Sequence, residues 1–184
     1  MEALYKNIHQ EIIDQCKQGN QKAQFQMYKL YYKAMYSISL RIVNDEMEAE
    51  DVMQEAFLNA FNKIETYKGE VSFGAWLKKI VVNRSLDYLK KRKVQFEEVN
   101  EKTAQILDYQ MGTKEIDLNS IKTAIKSLPD GYRVVLSLYL IEGYDHEEIS
   151  QILGITNSAS RTQFLRAKNK LREILKDKEI FSYN

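Results

Sequence analysis

Cysteine and proline are almost absent from this sequence: each occurs once. A lone Cys16 excludes an internal disulfide, and its polar neighbours offer no Cys or His spacing for zinc. One Pro and seven Gly leave few sharp turns and favour long helices. No run of about 18 apolar residues occurs, so no membrane-spanning helix is expected. The N-terminal stretch MEALYKNIHQEIIDQC has no uninterrupted apolar core and does not read as a secretory signal, which gives the expectation of an intracellular protein. Histidine is scarce too, with only His9 and His146. No Ser–His–Asp order, glycine-rich phosphate loop or metal-ligand spacing appears, so neither catalysis nor a cofactor is expected.

What is present is a globular balance of 44% hydrophobic and 29% charged residues. The net charge of +1 is unevenly distributed. Residues 44–70 carry eight acidic side chains against two basic, and residues 76–95 carry seven basic against one acidic. Residues 96–117 return to six acidic against two basic, and residues 161–176 carry six basic against one acidic. The basic blocks suit a polyanion, while the acidic blocks must face something else or only water.

Apolar spacing is helical almost throughout, which predicts an all-α fold. Residues 21–43, rich in tyrosine, read as one long and mostly buried helix. Asn44 or Asp45 can cap the next helix, which carries Ala49, Met53, Ala56, Phe57, Ala60, Phe61 and Ile64 on one stripe and is expected to end near Thr66. Residues 67–72 read as a loop. Ser72 can then cap a helix from Phe73 to about Arg92. Periodicity fades after Lys93, so residues 94–117 read as a linker between a domain at 1–93 and another at 118–184. Two helices, 118–127 and 132–142, are expected on either side of Pro129-Asp130-Gly131.

Residues 145–175 carry the most specific local signal. Asp145 and Glu148 have the spacing of a capping box, Gly154 suits a left-handed helix end, and Ile155 can plug the space between two helices. Thr156 or Ser158 can start the next helix, with Phe164, Ala167, Leu171 and Ile174 as its apolar stripe. This is the pattern of a helix-turn-helix. Arg161, Thr162, Gln163 and Arg166 are expected on the exposed face near the start of the second helix, where Arg and Gln side chains can read guanine and adenine edges. Ser158 suits a phosphate approach, and Lys168, Lys170 and Arg172 add non-specific attraction. His146 is expected to be exposed in the first turn. A plain helical hairpin with a basic face would show fewer of these features together.

Upstream, a basic helix follows a loop flanked by aromatics. Phe73 and Trp76 share helical spacing with Ile80 and are expected in the core, whereas Tyr67 is expected to be more open. Asn83 and Arg84 form a polar pair that can face DNA or satisfy a buried network. An operator-binding regulator would share the helix-turn-helix but has no need of the 49–93 block.

With these segments in order, the chain resembles the extracytoplasmic-function (ECF) sigma factors of bacterial RNA polymerase. AEDVMQEAFLNAF (49–61) is similar to the family's clamp-binding helix. YKGEVSFGAWLKKIVVNRSLDYLKKRK (67–93) resembles its −10 region, and SLPDGYRVVLSLYLIEGYDHEEISQILGI (127–155) its fourth domain. The resemblance implies that Glu50, Asp51, Gln54, Glu55 and Leu58 meet the clamp of the largest polymerase subunit. It implies that the loop of Tyr67, Lys68, Gly69, Glu70 and Ser72 receives a −10 base, and that Lys79, Asn83, Arg84, Lys90 and Lys91 hold −10 DNA. It assigns the −35 element to Ser158, Arg161, Thr162, Gln163, Arg166 and Lys170, and gives Val134, Leu136, Leu138 and Leu140 to the core and to a flap contact. Core polymerase, promoter DNA and an anti-sigma factor are the implied partners, in the cytoplasm. The family's recognition helix commonly opens Gly-Thr-Val-Lys-Ser-Arg. Here Ser158-Ala159-Ser160-Arg161-Thr162-Gln163 stands in its place, so Gln163 is expected to alter the base preference.

Overall fold

The computed structural model describes residues 8–92 and 117–181, with side chains as far as Lys176. The chain divides into two compact units, residues 1–92 and 93–184. Among the described residues every regular element is a helix. The expected linker at 94–117 lies outside the described residues except for Asp117.

The first unit is built from α1 (Gln10–Lys17), α2 (Gln21–Val43), α3 (Glu46–Asn62) and α4 (Phe73–Lys91), with a 3-10 turn at Ile64–Thr66. The α2/α3 junction is sharp for two local reasons. Asn44 takes the left-handed conformation (φ 61°) and closes α2 by donating to the Leu40 carbonyl. Asp45 then caps α3, its carboxylate accepting from the Glu48 N–H at 3.0 Å. Ser72 starts α4 in the same way, its hydroxyl accepting from the Ala75 N–H at 3.2 Å. The core is lined by Ile13 and Cys16 of α1, Met27, Ile38 and Ile42 of α2, Met53 and Ala56 of α3, and Phe73, Leu77 and Leu86 of α4. Burial pushes the Cys16 thiol above its ordinary pKa, the setting of an unreactive core cysteine.

Helix α2 occupies the expected range but is less buried than its composition suggested. Phe25 and Leu30 are exposed, Tyr28, Tyr32 and Tyr36 are half-buried in a ladder along one side, and the half-buried Tyr31 packs instead on Phe73. Twenty-three residues packed on one side only must leave part of their surface in water.

The second unit holds α5 (Leu118–Lys126), α6 (Asp130–Leu140), α7 (His146–Leu153) and α8 (Asn157–Phe181). Its core joins Leu128 and Leu136 to Ala167, with Ile125, Tyr132, Leu171 and Ile174 packed around them. Helix α6 begins at Asp130, two residues before the expected start, because Pro129 serves as its N-cap rather than as a break beyond it. Arg133 is almost fully buried in α6. Its guanidinium reaches Asp130 at 2.6 Å and donates to the Leu128 carbonyl at 3.2 Å, which satisfies the charge where it enters the core.

Candidate nucleic-acid interface

The helix-turn-helix forms from the signals that announced it. The Asp145 carboxylate accepts from the Glu148 N–H and the Glu148 carboxylate accepts from the Asp145 N–H, both at 2.8 Å. Helix α7 ends at Gly154, whose φ of 70° is costly for a residue with a Cβ. Thr156, not Ser158, caps α8: its hydroxyl accepts from the Ala159 N–H at 3.0 Å. Ile149 and Leu153 are buried, while Ile152 and Ile155 are half-buried.

The start of α8 presents Arg161 exposed and Ser158, Thr162, Arg166 and Lys170 half-exposed. Gln163 departs from the expectation of exposure. It is only 2% exposed, on an inward stripe with Ser160 and Ala167 at steps of three and four. The side chain is polar, but helical geometry places it against the core. Two contacts not anticipated from sequence hold the exposed part. Arg161 Nε donates to Asn157 Oδ1 at 2.8 Å, and Asn157 Nδ2 donates to Glu147 Oε2 at 3.1 Å. The chain of contacts runs from α7 to the cation at the front of α8. The signal for it was the i,i+4 spacing of Asn157 and Arg161. Lys170 pairs with Glu173 at 2.8 Å, and the Lys168 ammonium lies 5.0 Å from the Phe164 ring.

His146 also departs from expectation. It is 9% exposed, stacked on Tyr139 at 4.5 Å between ring centroids and edge-on to Phe164 at 5.6 Å. Its Nδ1 lies 2.9 Å from the buried Ser160 hydroxyl. Burial, and then the neighbouring Arg161, hold its pKa below the ordinary value, with Asp145 opposing. One ring thus ties α6, α7 and α8 together behind the exposed face.

In the first unit the loop before α4 is anchored by Tyr67, which is buried rather than open. Its hydroxyl donates to the Val71 carbonyl at 2.6 Å, its ring packs on Phe73 and Trp76, and its carbonyl accepts from Lys17 Nζ at 3.1 Å. The tyrosine closes the base of the loop and leaves the tip outside. Lys68, Glu70 and Val71 are exposed, Gly69 turns at φ 79° with open space beside it, and Ser72 is half-buried as the helix cap. Phe73 is buried, as its spacing predicted, whereas Trp76 is only half-buried. Along α4, Lys79, Asn83, Lys90 and Lys91 are exposed. Arg84 leans toward α3, where its Nη2 meets Glu55 Oε2 at 2.5 Å.

The opposite charge lies on α3. Glu50, Asp51, Gln54, Glu55 and Leu58 are all exposed, and Met47 joins them at helical spacing. An apolar side chain 65% exposed at Leu58 and another 81% exposed at Met47, framed by carboxylates, make a surface suited to a protein partner and unsuited to DNA. Leu140 and Ile141 at the end of α6 are exposed too, whereas Val134, Leu136 and Leu138 are core.

The family Sigma-70 region 2 matches residues 27–94, and Sigma-70, region 4 matches residues 118–171. The ECF RNA polymerase sigma factor SigW of Bacillus subtilis (strain 168) is 29% identical over 187 residues, covering 90% of this chain and 95% of that protein. The ECF RNA polymerase sigma-E factor of Escherichia coli (strain K12) is 27% identical over 184 residues, covering 91% and 96%. Among solved structures, the sigma factor RpoE in complex with the anti-sigma factor NepR from Bartonella quintana shares the fold with a TM-score of 0.56 and 23% identity, covering 82% of this chain and 95% of that one. CnrH in complex with the cytosolic domain of CnrY does so at 0.54 and 21%, covering 92% and 97%. Two sigma regions in order, and full-length relatives that share both, place this chain among the ECF sigma factors, which direct RNA polymerase to promoters for the initiation of transcription.

Proposed function

We propose that the labour of this sigma factor is divided among three surfaces. The acidic face of α3 (Glu50, Asp51, Gln54, Glu55 and Leu58) docks on the clamp of core polymerase. The loop tip 68–70 and the exposed residues of α4 (Lys79, Asn83, Lys90 and Lys91, with Arg84) engage the −10 element. The front of α8 (Ser158, Arg161, Thr162, Arg166 and Lys170) engages the −35 element. Tyr67 and Gln163 act from behind, one shaping the loop and the other seating the recognition helix. Residues 1–93 and 118–184 are then the two promoter-reading domains, and 94–117 the connection between them. The exposed Leu140 and Ile141 are suited to the flap. The protein works by binding, without a reaction of its own, in the cytoplasm where polymerase and DNA are found.

The observation that carries this reading is the segregation of charge. Five expected clamp residues share one exposed acidic face of α3, a helix that carries no Lys or Arg, while the exposed cations proposed for DNA lie on the 68–70 loop, α4 and α8. A carboxylate face repels phosphate, so it is suited to a protein partner. An anti-sigma factor is the further partner we propose, since the RpoE relative was solved with one. The test is co-purification with core polymerase. Asp51→Ala and Glu55→Ala are expected to weaken core binding without changing which promoters are used. Full retention of core by both variants refutes the clamp assignment.

A further inference from the structure

The ion pair between Glu55 and Arg84 joins two surfaces that the proposed function gives to different partners. Glu55 lies on the exposed acidic face of α3, 61% exposed. Arg84 lies on α4 directly after the exposed Asn83 and is itself 36% exposed. Nη2 donates to Oε2 at 2.5 Å across the boundary between the helices. The Arg84 Nε is buried without a hydrogen bond, so among the described residues the guanidinium is held by this one carboxylate. A carboxylate and a phosphate offer guanidinium the same kind of acceptor. One cation cannot give its full charge to both.

We propose that Glu55 masks Arg84 in the free protein, so that engagement of polymerase at α3 and of DNA at α4 are coupled. This rests on the division of surfaces proposed above. A cationic group of the clamp that takes Glu55 releases Arg84 to a DNA phosphate. By reciprocity, DNA on Arg84 releases Glu55 to the clamp. The pair is half in water, so the mask is a bias of about two- to five-fold and not a block. It adds one phosphate contact at the moment of assembly and withholds it from a chain without polymerase.

The test measures the free full-length chain on a labelled duplex of mixed sequence across a salt series. Glu55→Gln is expected to bind about two- to five-fold more tightly than the unchanged protein. Its plot of log affinity against log salt should be steeper by about 0.9, the signature of one additional phosphate contact. Arg84→Gln should show no such gain, and the double variant should bind like Arg84→Gln alone. An unchanged slope for Glu55→Gln overturns the proposal. So does a double variant that keeps the gain, since the effect would then be the general field of the lost carboxylate. In a second arm, Arg84→Gln is measured in promoter complexes at saturating core polymerase and is expected to flatten the slope by about 0.9. If the promoter complex ignores Arg84→Gln, the assignment of Arg84 to −10 DNA fails and the coupling falls with it. If the promoter complex weakens but Glu55→Gln leaves the free chain unchanged, the mask alone fails.

Discussion

Single side chains in the second unit separate into those that face outward and those that hold them. Arg166 is half-exposed one helical turn after Thr162, where a guanidinium can fork onto a guanine edge. Arg166→Ala is expected to lower −35-dependent initiation about five- to a hundred-fold in run-off transcription, the range for losing one bidentate base contact. A loss that is equal on promoters with and without the −35 element would instead point to folding. His146 is a holder. Its folded pKa lies below the ordinary value, so the unfolded chain binds the proton more readily. Its contribution to stability is therefore complete above about pH 6.5 and is lost as pH falls below that toward the lowered folded value. Thermal unfolding of the second unit should show this acid-side decline, and His146→Gln should flatten it.

At the scale of elements, the sequence was most legible where backbone chemistry is local. The capping box, the Gly154 turn and the caps at Asp45 and Ser72 depend on residues within four positions of each other, and all formed as read. Asp145→Ala is expected to cost about 1 kcal/mol of stability, read from the shift in the denaturant midpoint, because it strips an acceptor from the first turn of α7. Legibility failed where burial comes from a distant element. His146 sits among Asp145, Glu147 and Glu148, which reads as exposed, yet Tyr139 from α6 and Phe164 from α8 close over it. Tyr67 stands between regular helices, where no period exists to orient it, and its place is fixed by Phe73, Trp76 and Val71. Gln163 was the recoverable case. Its spacing to Ser160 and Ala167 marked an inward stripe, but polar residue types on that stripe drew attention to the surface instead.

For the whole molecule, the proposed division of labour gives each of the two small units one promoter element. On the reading proposed above, fixing both units on one polymerase raises the effective concentration of the second at its element. Most of that affinity is assigned to lysine and arginine on phosphate, so promoter binding should fall steeply and log-linearly with salt. A filter-binding series on holoenzyme checks this, and a flat response would place the affinity in base contacts instead. Arg166→Ala should leave most of that slope in place, since one cation among several is removed.

The burial of Gln163 also bears on how the DNA preference proposed for this helix would be transferred or redesigned. If specificity were written in consecutive letters along α8, position 163 would be one of the letters. In this fold it is part of the spine of the page. Transplanting a preference onto this scaffold is therefore a matter of exchanging the outward residues around Arg161, Thr162 and Arg166 while leaving 163 to match its own core. A graft that copies a neighbouring factor's residue at 163 imports a packing change along with the reading change, and its failure would say nothing about which bases the outward residues prefer.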